Sequence, residues 1–282
     1  MANLIQTKAR IRALEKTSSI TKSLYHISSS KIKGMQEALT QYFNFLKQFN
    51  IVLVDAAARV SEHALITENK KGKIIYMLIT SDRGLAGSYH NALFKSFLEE
   101  TKHLDKKDYL VFVIGKKGYS FAKKRDLPMI NQRVISNRDD FTTYLFKNET
   151  KIVLDAFLEG TLKEVILYYN HFVNRASNKV RKERILPIPV TKKVIEARKE
   201  RTYTYDVKPL KILEETALMY VEIKMTGALI AKLAEHSARV QAIKQATDNA
   251  KEVTDKLKLY YNRTRQQAIT NELIDISNGA NI

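Results

Sequence analysis

The chain has 282 residues, no cysteine and no tryptophan, and 48 Lys and Arg against 30 Asp and Glu, a net charge of +18. Without cysteine there are no disulfides, thiolate metal sites or cysteine nucleophiles, and no apolar run reaches the ~18–20 residues of a membrane span. Met1-Ala2-Asn3-Leu4 lacks an apolar signal core, so a cytosolic, soluble chain is expected.

Residues 1–69 hold one glycine, Gly34, and no proline. Glycine costs about 1 kcal/mol and proline about 3 kcal/mol inside a helix, so a stretch nearly free of both can run as one very long helix. Apolar and small residues recur there at heptad spacing. One row is Leu4, Ile11, Ser18, Tyr25, Ile32, Leu39 and Leu46; its companion is Leu14, Thr21, Ser28, Met35, Tyr42 and Phe49. Alternating three- and four-residue steps put both rows on one face and predict a coiled-coil seam. Between Thr17 and Ser30 this region is rich in Ser and Thr. Two readings fit that: tolerated polar positions on a half-exposed helix, or a surface that must not adhere strongly to its neighbour. The basic residues from Lys8 to Lys33 lie around the outside without interleaved aromatics, a weak pattern for nucleic acid.

From about residue 72 the period changes. Ile74–Thr80, Tyr109–Gly115 and Val165–Tyr169 read as short buried strands, with Val134-Ile135 a weaker fourth. Helical patterns over 88–102, 117–125 and 139–160 separate them, which predicts βαβ units and a mostly parallel sheet. The turns Ser81–Gly87 and Gly115-Lys116-Lys117-Gly118 match neither a P-loop nor the dinucleotide fingerprint, so their glycines are read as backbone freedom alone. The six histidines show no metal-ligand spacing, and no nucleophile elbow occurs. The residues therefore give no catalytic, cofactor-binding or metal site.

Most of the excess charge sits in this middle, 29 basic against 16 acidic residues. It peaks over 175–201, with ten Lys and Arg against three Glu. Arg175, Lys179, Arg181, Lys182, Arg184, Lys192 and Lys193 are read as a candidate docking surface, against the plainer reading of a solvated strand or loop.

Residues 210–282 hold only Gly227 and Gly279 and again no proline. Leu229, Leu233, His236, Val240, Ile243, Thr247, Ala250, Thr254, Leu257 and Tyr261 repeat the three-four spacing, predicting a second long helix antiparallel to the first. The expected architecture is α/β: a coiled-coil shaft of residues 1–69 and 210–282, and a Rossmann-like central domain over 70–209.

Two C-terminal stretches make a family visible. Glu235-His236-Ser237-Ala238-Arg239-Val240-Gln241-Ala242-Ile243-Lys244-Gln245-Ala246-Thr247-Asp248-Asn249-Ala250 and Tyr261-Asn262-Arg263-Thr264-Arg265-Gln266-Gln267-Ala268-Ile269-Thr270-Asn271-Glu272-Leu273 resemble the gamma subunit of F-type ATP synthases. Ile20-Thr21-Lys22 with Ser30-Lys31 resembles its N-terminal signature, and Ser81-Asp82-Arg83-Gly84-Leu85 with Gly87, then Tyr169-Asn170 with Phe172-Val173-Asn174, resemble two internal turns. The resemblance is collinear from residue 3 to 282. Where the family has GLCG followed by Asn, this chain has Gly84-Leu85-Ala86-Gly87-Ser88-Tyr89-His90.

The resemblance implies a non-catalytic rotating shaft inside a ring of three alpha and three beta subunits, at 3:3:1 with this chain. ATP, ADP and Mg would sit on those subunits and no cofactor on this one. It implies ring contacts at Lys22, Leu24, Arg265, Gln266, Thr270, Glu272, Leu273 and Ile276. It also implies an epsilon subunit and a membrane rotor ring at the foot, proton-coupled ATP synthesis or hydrolysis, and a peripheral place on the cytoplasmic side of the cell membrane. The basic foot keeps a second reading open, a gamma-like shaft of a divergent F-type-like ATPase that drives another protein machine through a substitute partner. A nucleic-acid-binding coiled-coil adaptor is a more distant alternative; no nucleic acid is expected.

Overall fold

The breaker-free N-terminus forms a single 56-residue helix, α1 (Ala2–Ala57), in the computed structural model, which describes residues 2–136, 147–174, 177–190, 204–230 and 232–279. The remaining elements are β1 (Lys73–Ile79), α2 (Tyr89–Thr101), β2 (Tyr109–Ile114), α3 (Lys116–Lys124), α4 (Lys147–Leu158), β3 (Leu162–Asn174), β4 (Ser177–Leu186), α5 (Pro209–Ile230) and α6 (Lys232–Gly279). Pro209 opens α5, where its missing N–H costs nothing.

The chain divides into two compact units, Met1–Ser30 with Arg239–Ile282, and Lys31–Ala238. This differs from the expected 1–69, 70–209, 210–282 division. Residues 31–57 of α1 and all of α5 group with the sheet, because its apolar face needs them as cover.

In the first unit the outer part of α1 lies against α6. Ile11 and Ser28 are buried, and Leu4, Leu14, Ser18, Thr21 and Tyr25 are half-buried. Opposite them Ile243 and Thr254 are buried, and Thr247, Ala250, Leu257 and Tyr261 half-buried. The Thr21 and Thr247 hydroxyls approach to 3.5 Å, and Lys258 Nζ lies 2.7 Å from Glu15 Oε1, so the two helices run antiparallel.

In the second unit a four-stranded sheet has the order β2-β1-β3-β4. β1 pairs in parallel with β2 and β3, and β4 closes one edge antiparallel to β3. Alternate residues of each strand face opposite layers. Tyr76, Leu78, Val111, Val113, Ile166 and Tyr168 meet Leu93 and Phe97 of α2 and Phe121 and Ala122 of α3. Ile75, Met77, Phe112, Ile114, Val165 and Leu167 meet Phe157 of α4, Leu53 of α1, and Leu213, Tyr220, Val221 and Met225 of α5. Burial on both faces explains why these strands read as nearly continuous apolar runs. Each fully buried Leu- or Phe-sized side chain contributes about 1.5–3 kcal/mol.

Two expectations change. Val134-Ile135 is no strand: Ile135 makes one parallel bridge to Ile114, beyond the β2 edge. α1 stops at Ala57 rather than running on toward residue 69, because Leu65 turns back into the core and its carbonyl accepts the Ile188 N–H at 2.6 Å. The first part of the 139–160 helical pattern lies outside the described residues; the rest is α4.

Candidate functional site

The motif residues of α6 fall into two physical situations. Glu235, His236, Ser237 and Arg239 are buried. Beside them Ala234 packs against Ala86 of the turn before α2 and Tyr89 at its start, with Phe172 and Ala238 at the rim. Here the chain's own fold accounts for the sequence. The small Ala86 fits a close helix approach; the Asn170 amide donates to the Tyr89 carbonyl at 2.9 Å, and Ser81 and His90 bond at 2.7 Å. Ala86, Tyr89 and His90, which depart from the family pattern, are thus engaged by the chain's own fold, whereas Ser88 is exposed.

The Tyr261–Leu273 motif is different. Only Tyr261, Thr264 and Ala268 are half-buried there, on the row facing α1. Arg265, Gln266, Thr270 and Glu272 are exposed, and the Thr270 hydroxyl donates to the Gln266 carbonyl at 2.9 Å. Leu273 and Ile276 are 61% and 68% exposed, and Ile269 46%. Lys22 is exposed and Leu24 half-buried, on α1. The structure thus places the C-terminal residues expected to contact the ring on one terminal stretch of helix whose apolar side chains are left exposed among the described residues.

The Ser/Thr band from Thr17 to Ser30 is divided. Ser18, Thr21 and Ser28 belong to the interhelical row, whereas Thr17, Ser19, Ser23 and Ser30 are exposed. The band is thus split between the interhelical row and the exposed side of the helix. The hydroxyls of Thr17, Thr21, Ser23 and Ser30 donate to carbonyls of their own helix at 2.9, 2.9, 3.3 and 2.9 Å.

The described part of the basic tract includes a strand, in line with the plainer reading of a solvated strand or loop. Lys179, Arg181, Lys182 and Arg184 lie on β4; Arg175, Lys192 and Lys193 lie outside the described residues. Lys182 Nζ lies 2.5 Å from Glu100, Arg184 Nη1 2.7 Å from Glu68 and 3.7 Å from Glu164, and Arg181 Nε 3.8 Å from Glu183. Three of the four cations on this strand thus meet carboxylates of the same chain, which weakens the reading of a free basic docking surface. Charge on an edge strand also discourages unwanted strand pairing.

The glycine turn after β2 is filled by protein. A Cβ at Gly118 would meet Thr80 Oγ1 at 2.6 Å, and that hydroxyl donates to Ile114 and accepts the Gly118 N–H. Gly115, at φ +96°, abuts the same residue.

Comparison with known proteins settles what this arrangement belongs to. A family model described as ATP synthase matches residues 3–282. The chain belongs to the ATP synthase gamma-subunit family. Two chains from Euglena gracilis mitochondrial ATP synthase are similar to it in structure. One, from the rotor, has a TM-score of 0.68 at 17% identity, covering 95% of this chain and 99% of that one. The other, from the OSCP/F1/c-ring assembly, has a TM-score of 0.71 at 17% identity, covering 98% and 92%. A chain from the central stalk and c-ring of Tetrahymena thermophila mitochondrial ATP synthase has a TM-score of 0.59 at 23% identity, covering 80% and 99%. As a gamma-family member the chain is the central rotating shaft of a rotary ATPase and is not itself catalytic; the catalytic sites lie on beta subunits. ATP turnover and proton transport are activities of the whole complex. Among the described residues no helix is long and apolar enough to cross a membrane.

Proposed function

We propose that the α6 stretch from Arg265 to Ile276 is the surface through which this shaft meets an alpha3beta3 ring. The supporting observation is an exposed helix end carrying Ile269, Leu273 and Ile276 beside Arg265 and Glu272. Exposed apolar side chains clustered at a polar rim are the signature of a covered surface. Arg265 meets a carboxylate-bearing beta loop by charge-assisted bonds, strong enough to carry force and exchangeable as the shaft turns. Gln266, Thr270 and Glu272 belong to the same zone, with Lys22 and Leu24 on α1. Nucleotide and Mg are held by the alpha and beta subunits, and this chain holds neither.

At the foot the partners are an epsilon subunit and a proton-translocating rotor ring, on the cytoplasmic side of the membrane. The neighbours named as rotor and c-ring assemblies support this reading. Arg265→Ala in the assembled complex is expected to lower ATP-driven rotation or proton pumping per ATP hydrolysed. Wild-type coupling and torque in that variant would count against the contact. Purification through a tag on the full chain tests the base: co-recovery of a proteolipid ring supports the proton-coupled complex, and its consistent replacement by another assembly supports a shaft driving a different machine.

A further inference from the structure

Rotation of a shaft does work only if its helices cannot slip against the sheet they enter. We propose that Tyr42, Lys224 and Glu183, with Gly227, form the joint that transmits torque between the helices α1 and α5 and the sheet. This rests on the shaft reading and adds to it the residues that bear the load.

Three elements are tied by bonds that cross between them. The Tyr42 hydroxyl, on α1, donates to the Ile223 carbonyl of α5 at 2.9 Å. Lys224, on α5, donates to Glu183 Oε1 of β4 at 2.7 Å. The Tyr169 hydroxyl, on β3, donates to the other oxygen of Glu183 at 3.1 Å. Helix, helix and sheet edge are thereby linked in series. Close approach makes the first link possible: a Cβ at Gly227 would lie 2.1 Å from the Tyr42 hydroxyl oxygen, so only glycine admits the ring there.

These bonds matter mechanically because packing beside them is incomplete. A cleft of about 210 Å³, partly open to solvent, lies on this flank, with Leu39, Phe43 and Leu46 of α1 and Phe172 of β3 among its lining residues. Close-packed interiors resist shear by interlocking, and a void removes that resistance. Apolar contact is also non-directional, so it opposes sliding weakly. Directional, half-buried bonds, charge-assisted at Glu183, supply what the packing lacks. Lys224 and Glu183 are 13% and 21% exposed, sheltered enough to be poorly screened by salt.

The test measures torsional stiffness in the assembled complex. The chain has no cysteine, so Lys107→Cys, at an exposed position, gives a unique attachment point on it for a bead. With the catalytic ring fixed and turnover arrested, angular fluctuation of the bead reports compliance. Lys224→Met and Tyr42→Phe are each expected to raise the angular variance by up to about twofold, since each opens one link of the series and leaves apolar packing to carry the load there. Lys224→Arg is expected to restore most of the stiffness. A higher variance that Lys224→Arg leaves uncorrected overturns the ion-pair assignment. Wild-type variance in both Lys224→Met and Tyr42→Phe, with the chain melting at the wild-type temperature, overturns the joint. If the wild-type bead does not turn on ATP addition, the shaft reading fails instead.

Discussion

Gly34 and Gly227 both interrupt helices otherwise purged of glycine, yet they stand in opposite circumstances. Nothing lies within 4 Å of a Cβ built at Gly34, whereas at Gly227 it meets the Tyr42 ring at 2.1–2.7 Å. Gly34→Ala is therefore expected to stabilise the chain by about 0.5–1 kcal/mol through helix propensity. Gly227→Ala is expected to destabilise it by about 1–3 kcal/mol, the usual cost of overpacking. Urea denaturation of the full chain measures both, and equal shifts would refute the distinction. The sequence shows two lone glycines at breaker-free helical positions and nothing that separates them. Close approach of another helix is a tertiary fact. Glu183 is similar: within a basic tract it reads as a stray acid, and only the fold brings Lys224 to it.

The heptad rows of α1 were fully legible at the scale of the element. All thirteen positions are buried or half-buried, because one face of an uninterrupted helix can turn only one way toward a core. Met35, 4% exposed, and Ile20, 62% exposed, set up the contrast this predicts. Met35→Ala is expected to cost about 2–5 kcal/mol, and Ile20→Ala less than about 0.5 kcal/mol in the isolated chain; chemical denaturation reads both. β4 was legible only as a strand or a loop, for a converse reason. An edge strand with one exposed face tolerates Lys and Arg, so the charges that suit a sheet edge mask the alternation that announces a strand. The Tyr261–Leu273 motif could be recognised, but its exposure could not, since exposure depends on what α1 covers.

The whole molecule titrates at both ends of the pH scale. Burial acts to raise the Glu183 carboxyl, but Lys224, Arg181 and the Tyr169 hydroxyl outweigh it and hold it below the ordinary value of 4.5. Its folded form thus releases the proton more readily than the unfolded chain. The resulting stabilisation is complete above pH 4.5 and is lost as pH falls through the depressed value. Tyr168 is pushed by burial to about 12, and burial raises Tyr42, Tyr169 and Tyr220 as well. Those phenols hold their protons longer in the fold, so stability declines as pH rises above 10. Melting temperature against pH should fall on both sides of a neutral plateau. Lys224→Met should move the acid limb, and a limb unmoved by that change would refute its assignment to Glu183.

The exposed hydroxyls of α1 carry one more consequence. Thr17, Ser23 and Ser30 have already given their protons to carbonyls of their own helix. At these three positions a backbone moving past finds oxygen lone pairs but no spare hydroxyl proton. Chemically this part of the band is polar; as a counterface it is mute. Ser23→Asn would give it a voice, adding an amide with two donors, and in the assembled motor it should lengthen the dwells between steps while leaving the chain's melting temperature in place.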